Sequence, residues 1–340
     1  MKSRSCGKHA LSLPVLGIGC WSFGGGEYWG RQDQKDVDSI VAAALEHGCN
    51  YFDTAEVYNE GRSEESLGKA LQGKRETAII GSKISPDHLY PGTLQKHCEE
   101  SLRRLQTEYI DLYMIHWPVN TVSMKHYSED EDILDQPPNI LEAMELLEDL
   151  RIQGKIRFIG VSNFGVSQLD EIESFSVCVN EVCYNLLSRS IELSIMPHCK
   201  KMGIGLIGYM PLMQGLLTGK FTSLDEIPWQ RTRSRHFSGE RKGSRHGGGG
   251  YESLVIRTMK ELSDFAAEAG IELRHLALAW SLAREAVTCT VNGVRSIEQL
   301  VDNISAVDVS LDSDIYTRLN DITSPLMHAM GGNADLYESD

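Results

Sequence analysis

Eight short apolar runs, each followed by a stretch of helical period, constrain this chain more than any other feature of its sequence. The runs are residues 15–20 (VLGIGC), 50–54 (NYFDT), 77–84 (TAIIGSKI), 109–116 (YIDLYMIH), 155–162 (KIRFIGVS), 177–182 (VCVNEV), 203–210 (GIGLIGYM) and 287–293 (VTCTVNG). Their amphipathic partners include DVDSIVAAALEHG, SEESLGKALQG, TLQKHCEESLRRL, ILEAMELLEDLRIQG and SIEQLVDNISAV. Strands alternating with helices imply right-handed crossovers and a parallel sheet. Eight such units favour closure into an α/β fold of the (β/α)8 TIM-barrel type over an open doubly wound sheet. No GxGxxG joins a strand to a helix, which weakens the open-sheet alternative further. Residues 1–14 read as a hairpin or plug, 118–138 as an acidic loop, and 221–250 as a long basic loop. No shift of composition marks a second domain, so 1–340 reads as one.

The chain of 340 residues, 41% of them hydrophobic, can bury a core of that size without disulfide or metal staples. Its formal charge of -15 disfavours a sequence-independent grip on nucleic acid. No run of ~18 apolar residues is present to span a membrane, and the N-terminus lacks the apolar core of a signal peptide. Eight scattered cysteines form no CxxC or CxxH cluster, so a metal site is not expected. They read as reduced, buried thiols of a cytoplasmic protein.

Barrel enzymes carry their chemistry at the C-terminal ends of the strands. Asp53, Lys83, His116 and Ser162–Asn163 end four of the runs, and Tyr58 follows Asp53 closely. Taken singly, each has a structural explanation: a helix-capping acid, a snorkelling lysine, a satisfied core histidine. Together on one rim they would all point into one mouth.

The blocks DTAEVY…GRSEESLGKAL, GSKI, CEESLRRLQTEYIDLYMIHWP, IGVSNF and YMPLMQGLLTGKF resemble the aldo-keto reductase superfamily, over a stretch from Leu16 to about Val309. The resemblance implies a (β/α)8 barrel and NAD(P)(H)-dependent interconversion of carbonyls and alcohols. It places a catalytic tetrad on Asp53, Tyr58, Lys83 and His116. With the hydride supplied by a nicotinamide, the protein must polarise the carbonyl and move one proton. Tyr58 would be the general acid or base and His116 would orient the carbonyl oxygen. An ammonium ~4 Å away contributes about 4 kcal/mol at an effective dielectric of ~20. Lys83, held by Asp53, is therefore expected to lower the Tyr58 pKa by roughly three pKa units before desolvation opposes it.

The same resemblance assigns a cofactor site. Gly19, Cys20 and Trp21 would line the ribose and the substrate mouth, Ser162 and Asn163 the carboxamide, and Tyr209 would stack under the nicotinamide. Met210, Pro211, Leu212, Gln214, Gly215, Leu217 and Lys220 would wrap the pyrophosphate. Gly293, Arg295, Ser296, Gln299 and Asn303 would meet the adenosine end, Ser296 and Gln299 also forming a capping box. Relatives specific for NADP carry a lysine and an arginine where Gly293 and Gln299 stand. Arg295 remains to meet a 2′-phosphate, so NADP is expected, with NAD left open.

Glu181 replaces a glutamine usual near the carboxamide. An ionised carboxylate there would favour the oxidised cofactor and alcohol oxidation; a protonated glutamate would have no such role. Trp21 and Trp117 are the expected walls of the substrate pocket, with Tyr28 and Trp29 as weaker candidates. Polar side chains in the two long loops make a sugar or polyol a candidate substrate. The arginines of 221–250 could close over cofactor phosphates or an anionic substrate, but GGGG at 247–250 favours a solvated, mobile segment for most of them. The tail 325–340 could add a pocket wall or a subunit contact. The alternative to an enzyme is a cofactor-binding regulatory or sensor subunit with slow turnover.

Overall fold

The structure, a computed structural model, describes residues 1–221 and 223–333. The chain opens with a hairpin, β1 (Ser3–Ser5) and β2 (Ser12–Pro14), paired antiparallel with Ser3 opposite Pro14. The eight apolar runs become β3 (Leu16–Gly19), β4 (Tyr51–Asp53), β5 (Ile79–Ile84), β6 (Ile110–Ile115), β7 (Ile156–Ser162), β8 (Val177–Cys183), β9 (Gly205–Tyr209) and β10 (Cys289–Gly293). They pair in parallel and in sequence order, and β10 returns to β3, closing the barrel. Helices between the strands, among them Gln34–Glu46, Arg62–Ala70, Thr93–Leu105 and Ile140–Ile152, cover the outside. Asn139 caps the last of these by accepting the backbone N–H groups of Leu141 and Glu142. Among the described residues no helix is long and apolar enough to cross a membrane.

Side chains alternate between the two faces of each strand. Tyr51, Leu112, Met114, Val179, Ile207 and Val291 form an inner core together with Cys6 and Leu13 of the hairpin. Their neighbours Phe52, Tyr113, Ile115 and Val161 belong to the larger core under the helices. Because strands buried on both faces read as continuous apolar runs, the sequence pattern located them but did not reveal which residues point inward.

Tyr51 spans the lower barrel and explains two glycines. A Cβ on Gly17 would come within 2.7 Å of the Tyr51 ring, and one on Gly81 would strike its hydroxyl. Gly81→Ala is expected to destabilise the protein by about 1–3 kcal/mol through overpacking. Denaturant unfolding checks this, and a midpoint equal to wild type would contradict it.

Two segments depart from expectation. Residues 118–138 are not a plain loop but carry two short helices, Thr121–Tyr127 and Glu131–Asp135. Residues 221–250 are not solely solvated: Leu224, Ile227, Thr232, His236 and Phe237 are buried and fasten the segment to the barrel. Of the tail, Pro325 lies inside the helix Ser313–Met330, and 334–340 fall outside the described residues.

Candidate active site

The strand period that sends Tyr51, Gly81, Leu112, Met114 and Val179 into the barrel continues upward to Asp53, Lys83, His116 and Glu181. All four are buried, and they converge at the C-terminal mouth. The Lys83 Nζ lies 2.5 Å from Asp53 Oδ1 and 3.4 Å from Glu181 Oε1, and it donates to the Thr54 carbonyl at 3.1 Å. It also sits 5.1 Å from the centre of the half-buried Tyr58 ring. The His116 ring meets the Tyr58 ring edge-on with centroids 5.6 Å apart. The backbone beyond Tyr58 is held in place: Asn59 adopts φ +52 and donates to the carbonyls of Trp21 and Phe23. Except for Gln106, every described non-glycine residue with positive φ lies in a loop at this end of the barrel: Asn59, Glu60, Asn163, Met210, Met213 and Gln214. Such backbone strain concentrates at functional sites.

The electrostatics correct one expectation. Burial raises the Tyr58 pKa, and Asp53 and Glu181 add to it; Lys83 pulls the other way and loses. Tyr58 is therefore a firmly protonated phenol in this state. Burial alone would lower the Lys83 pKa, but Asp53, Glu181 and Tyr58 hold it above the usual lysine range. Burial and the Lys83 charge keep His116 neutral, and its Nδ1 is buried without a partner. Two buried carboxyls share one ammonium, so a proton stays on the pair. Asp53, the closer to Lys83, is the ionised member. Glu181, pushed up to about 8 by burial and the Asp53 charge, holds the proton.

The Glu181 side chain thus rests against Lys83, with Oε2 buried and unpartnered. Its backbone carbonyl accepts from Ser162 Oγ at 3.0 Å and from the Asn163 N–H. The Asn163 amide donates to the His116 carbonyl and to Ser162 Oγ, and its Oδ1 accepts from the Tyr209 hydroxyl at 2.7 Å. Ser162, Asn163 and Tyr209 are therefore linked to His116 by one hydrogen-bonded chain.

An aromatic wall stands over the mouth. Trp21 stacks on Tyr58 at 5.7 Å and on Tyr28 at 4.9 Å, and it meets Trp29 edge-on at 5.4 Å. Trp117 and Tyr127 pack about His116 with centroids 6.5 and 6.0 Å away. The sequence placed Trp21 and Trp117 here but ranked Tyr28 and Trp29 lower and missed Tyr127, which reaches the site only because 121–127 is helical. Cys20 departs from its assignment: its thiol is fully buried and directed at the Ile18 carbonyl, away from the mouth.

The segment expected to meet phosphates has the backbone for it. Met210, Met213, Gln214, Gly215 and Gly219 all have positive φ in the stretch that also holds Pro211, Leu212 and Leu217. A side chain at Gly215 would meet Lys220, and Lys220 and Arg231 are close enough for the second to lower the pKa of the first, after burial. These features fit a bound pyrophosphate. Where Gly293 is expected to meet the adenosine, it is exposed and pairs beside Gly19. Ser296 caps the helix Ile297–Ser305 by accepting the Gln299 N–H, while the Gln299 side chain accepts from the Arg295 N–H. Arg295 is already bonded to Gln32 and to the Arg31 carbonyl, and Asn303 is buried.

One further cluster lies beside the tetrad. Glu56 accepts from the Ser85 N–H at 2.8 Å and faces His88 at 2.9 Å and His97 at 2.7 Å, with the two imidazoles stacked at 3.7 Å. The histidine bonds and that of Ser85 hold the Glu56 carboxyl down at about 2 against the effect of burial. Both its oxygens are satisfied, and the cluster ties the loops after β4 and β5 to the helix Thr93–Leu105.

Comparison with known proteins extends over nearly the whole chain. The aldo/keto reductase family profile matches residues 15–324. The aldo-keto reductase YhdN of Bacillus subtilis (strain 168) is 31% identical over 95% of this chain and 93% of its own. The NADH-specific methylglyoxal reductase of Escherichia coli (strain K12) is 28% identical, covering 96% and 99%. Among solved structures, an aldo-keto reductase from Klebsiella pneumoniae in complex with NADPH superposes with a TM-score of 0.71 at 26% identity, over 95% of this chain and 96% of that one.

Proposed function

The chain belongs to the aldo/keto reductase family and is an NAD(P)-dependent oxidoreductase, and from that premise we propose that it interconverts a small aldehyde, ketone or sugar and its alcohol with Tyr58 as the proton donor. The observation that carries this reading is the Lys83 ammonium set between Asp53 and Tyr58, with neutral His116 across the same mouth. The NADPH-bound neighbour and the NADH-specific relative support NADP as cofactor with NAD as an alternative. When bound, the nicotinamide supplies the hydride.

The protein's own residues supply the rest. Tyr58 keeps its proton until the carbonyl oxygen begins to gain negative charge, which suits an acid in the reductive direction. His116, uncharged, orients that oxygen by hydrogen bonding and adds no competing charge. Lys83 stabilises the tyrosinate left behind, and Asp53 fixes Lys83. Trp21 and the aromatic residues around it exclude water. The phosphate-cradling segment 210–220, with Lys220, and the Arg295–Asn303 end hold the cofactor, as one domain spanning 1–340. Eight free, buried thiols support a cytoplasmic setting.

A panel of aldehydes, ketones, sugars and polyols, run in both directions with NADP(H) and NAD(H), tests the reading. Oxidation of either reduced cofactor by at least one carbonyl is expected; silence across the panel would refute it.

Glu181 adds a pH dependence. It is faced by Asp53 and Tyr51 from β4, Tyr58 from the loop after it, Lys83 from β5 and Cys289 from β10. Protonated below about 8, it ionises as the pH rises through that value, and its negative charge then favours the cationic oxidised nicotinamide. The affinity for NADP+ relative to NADPH should rise roughly tenfold across that range, and Glu181→Gln should abolish the rise. Titration calorimetry decides; the same slope in the variant contradicts the role.

A further inference from the structure

The segment 221–250 carries a set of cations whose partners differ in kind. Arg231 donates to the Gln214 carbonyl, and Arg235 to the Met330 carbonyl. Arg241 is paired with Asp225 and Glu252, Lys242 lies over the Trp229 ring, and Arg245 contacts His126 Nε2 at 2.6 Å. Arg233 differs from the other arginines in its partners, and from the exposed Lys242 in being half-buried. Its half-buried guanidinium lies 5.4 Å from the Trp21 ring centre and, among the described residues, has no hydrogen bond or carboxylate partner.

Arg233 is presented by a fixed backbone. Thr232 before it is buried and bonded to the Trp229 carbonyl, and His236 after it is buried and held to the Leu187 carbonyl. Its own carbonyl accepts from the Arg245 N–H. The backbones at Arg233 and Arg245 are thus joined, and each side chain meets one side of the mouth. Trp21, beneath Arg233, stacks on Tyr58; Tyr127, next to His126, packs on His116. His126 lies low, at about 4, from burial and from the charges of Arg245 and Arg233, so it stays neutral and adds a hydrogen-bonding group between them. In a chain of formal charge -15, a half-buried cation held at the mouth without a counter-charge marks the place of an anion that arrives from outside. The pyrophosphate-type sites on Lys220 and Arg231 lie at the other loop contact, with Gln214 and Trp29. Arg233 is one aromatic ring away from the proton donor.

We propose that Arg233, backed by Arg245 and His126, is a substrate-anion site, and that this enzyme acts on carbonyl compounds carrying a carboxylate or phosphate several bonds from the reacting carbon. The inference rests on the reductase reading above and narrows its substrate class. The anion would accept the Arg233 N–H fork, leaving the carbonyl oxygen to Tyr58 and His116.

Matched pairs differing only in the anion test it: glucuronate against glucose for the carboxylate, and glyceraldehyde phosphate against glyceraldehyde for the phosphate. At least one charged member should show a kcat/KM on the order of 10-fold or more above its neutral partner, with the advantage shrinking as salt is added. Arg233→Ala should remove the advantage through KM. It should leave the neutral member's kcat/KM and the separately measured NADPH Kd within about twofold of wild type. Arg233→Lys should restore part of the preference. Turnover of both neutral and charged members at equal kcat/KM would overturn this inference and leave the reductase reading intact. So would an Arg233→Ala variant that weakens NADPH binding and slows all four compounds alike, because Arg233 would then serve the cofactor. If no carbonyl oxidises either reduced cofactor, the reductase reading falls, and this inference falls with it.

Discussion

Replacing Tyr58 with phenylalanine is expected to slow carbonyl reduction by roughly 10²- to 10⁴-fold, the usual contribution of a positioned general acid. NADPH affinity should change little. The variant keeps the ring that stacks on Trp21 and meets His116 and loses only the oxygen that carries the proton. Single-turnover kinetics at saturating cofactor separates the two effects. A loss confined to KM would mean that Tyr58 only binds substrate, and full retention of rate would remove it from the chemistry. Because burial, with the Asp53 charge adding to it, raises the Tyr58 pKa in this state, the reductive rate should not fall near neutral pH through loss of the tyrosine proton.

Lys83→Met should be costly twice over. Its ammonium is the shared counter-charge of Asp53 and Glu181, and both carboxyls are buried. Removing one partner of a buried ionic cluster typically costs about 3–5 kcal/mol, and the carboxyls can relieve part of that by taking up protons. The loss in unfolding free energy should therefore be larger at pH near 8 than near 5, where protonation neutralises the pair. Turnover should also fall by on the order of 100-fold or more, because the tyrosinate loses its stabilising charge. Adding Asp53→Asn and Glu181→Gln should return most of the stability and none of the turnover. Denaturant unfolding at both pH values, with activity assayed on the same preparations, provides the check. A stability loss independent of pH would show that Lys83 does not balance these carboxyls.

The barrel was legible because each of its strands is buried on both faces and so leaves a continuous apolar run. Asp53, Lys83 and His116 were legible for a related reason: each is a charged or titratable residue at the C-terminal end of such a run. What the sequence hid depends on contacts between distant segments. The sign of the Tyr58 shift could not be read, because it depends on how far burial outweighs the Lys83 charge. Tyr127 was hidden by a helix inside what looked like an acidic loop. GGGG at 247–250 argued for mobility, whereas buried His236 and Phe237, further back in the same segment, fix its course. The run of arginines was visible, but only the fold separates Arg233 from those already paired. Positive φ at Met210, Met213 and Gln214 carries no compositional signal either, since none of them is a glycine.

The central claim is that hydride reaches a carbonyl carbon in this barrel while Tyr58 protonates the oxygen. The direct measurement uses NADPH deuterated at the transferring carbon, with mass analysis of the alcohol formed by wild type and by Tyr58→Phe. Deuterium on the product carbon in the wild type, with almost none formed by a variant that still binds NADPH, is the predicted result. Labelled alcohol appearing at the same rate in both proteins would contradict the account.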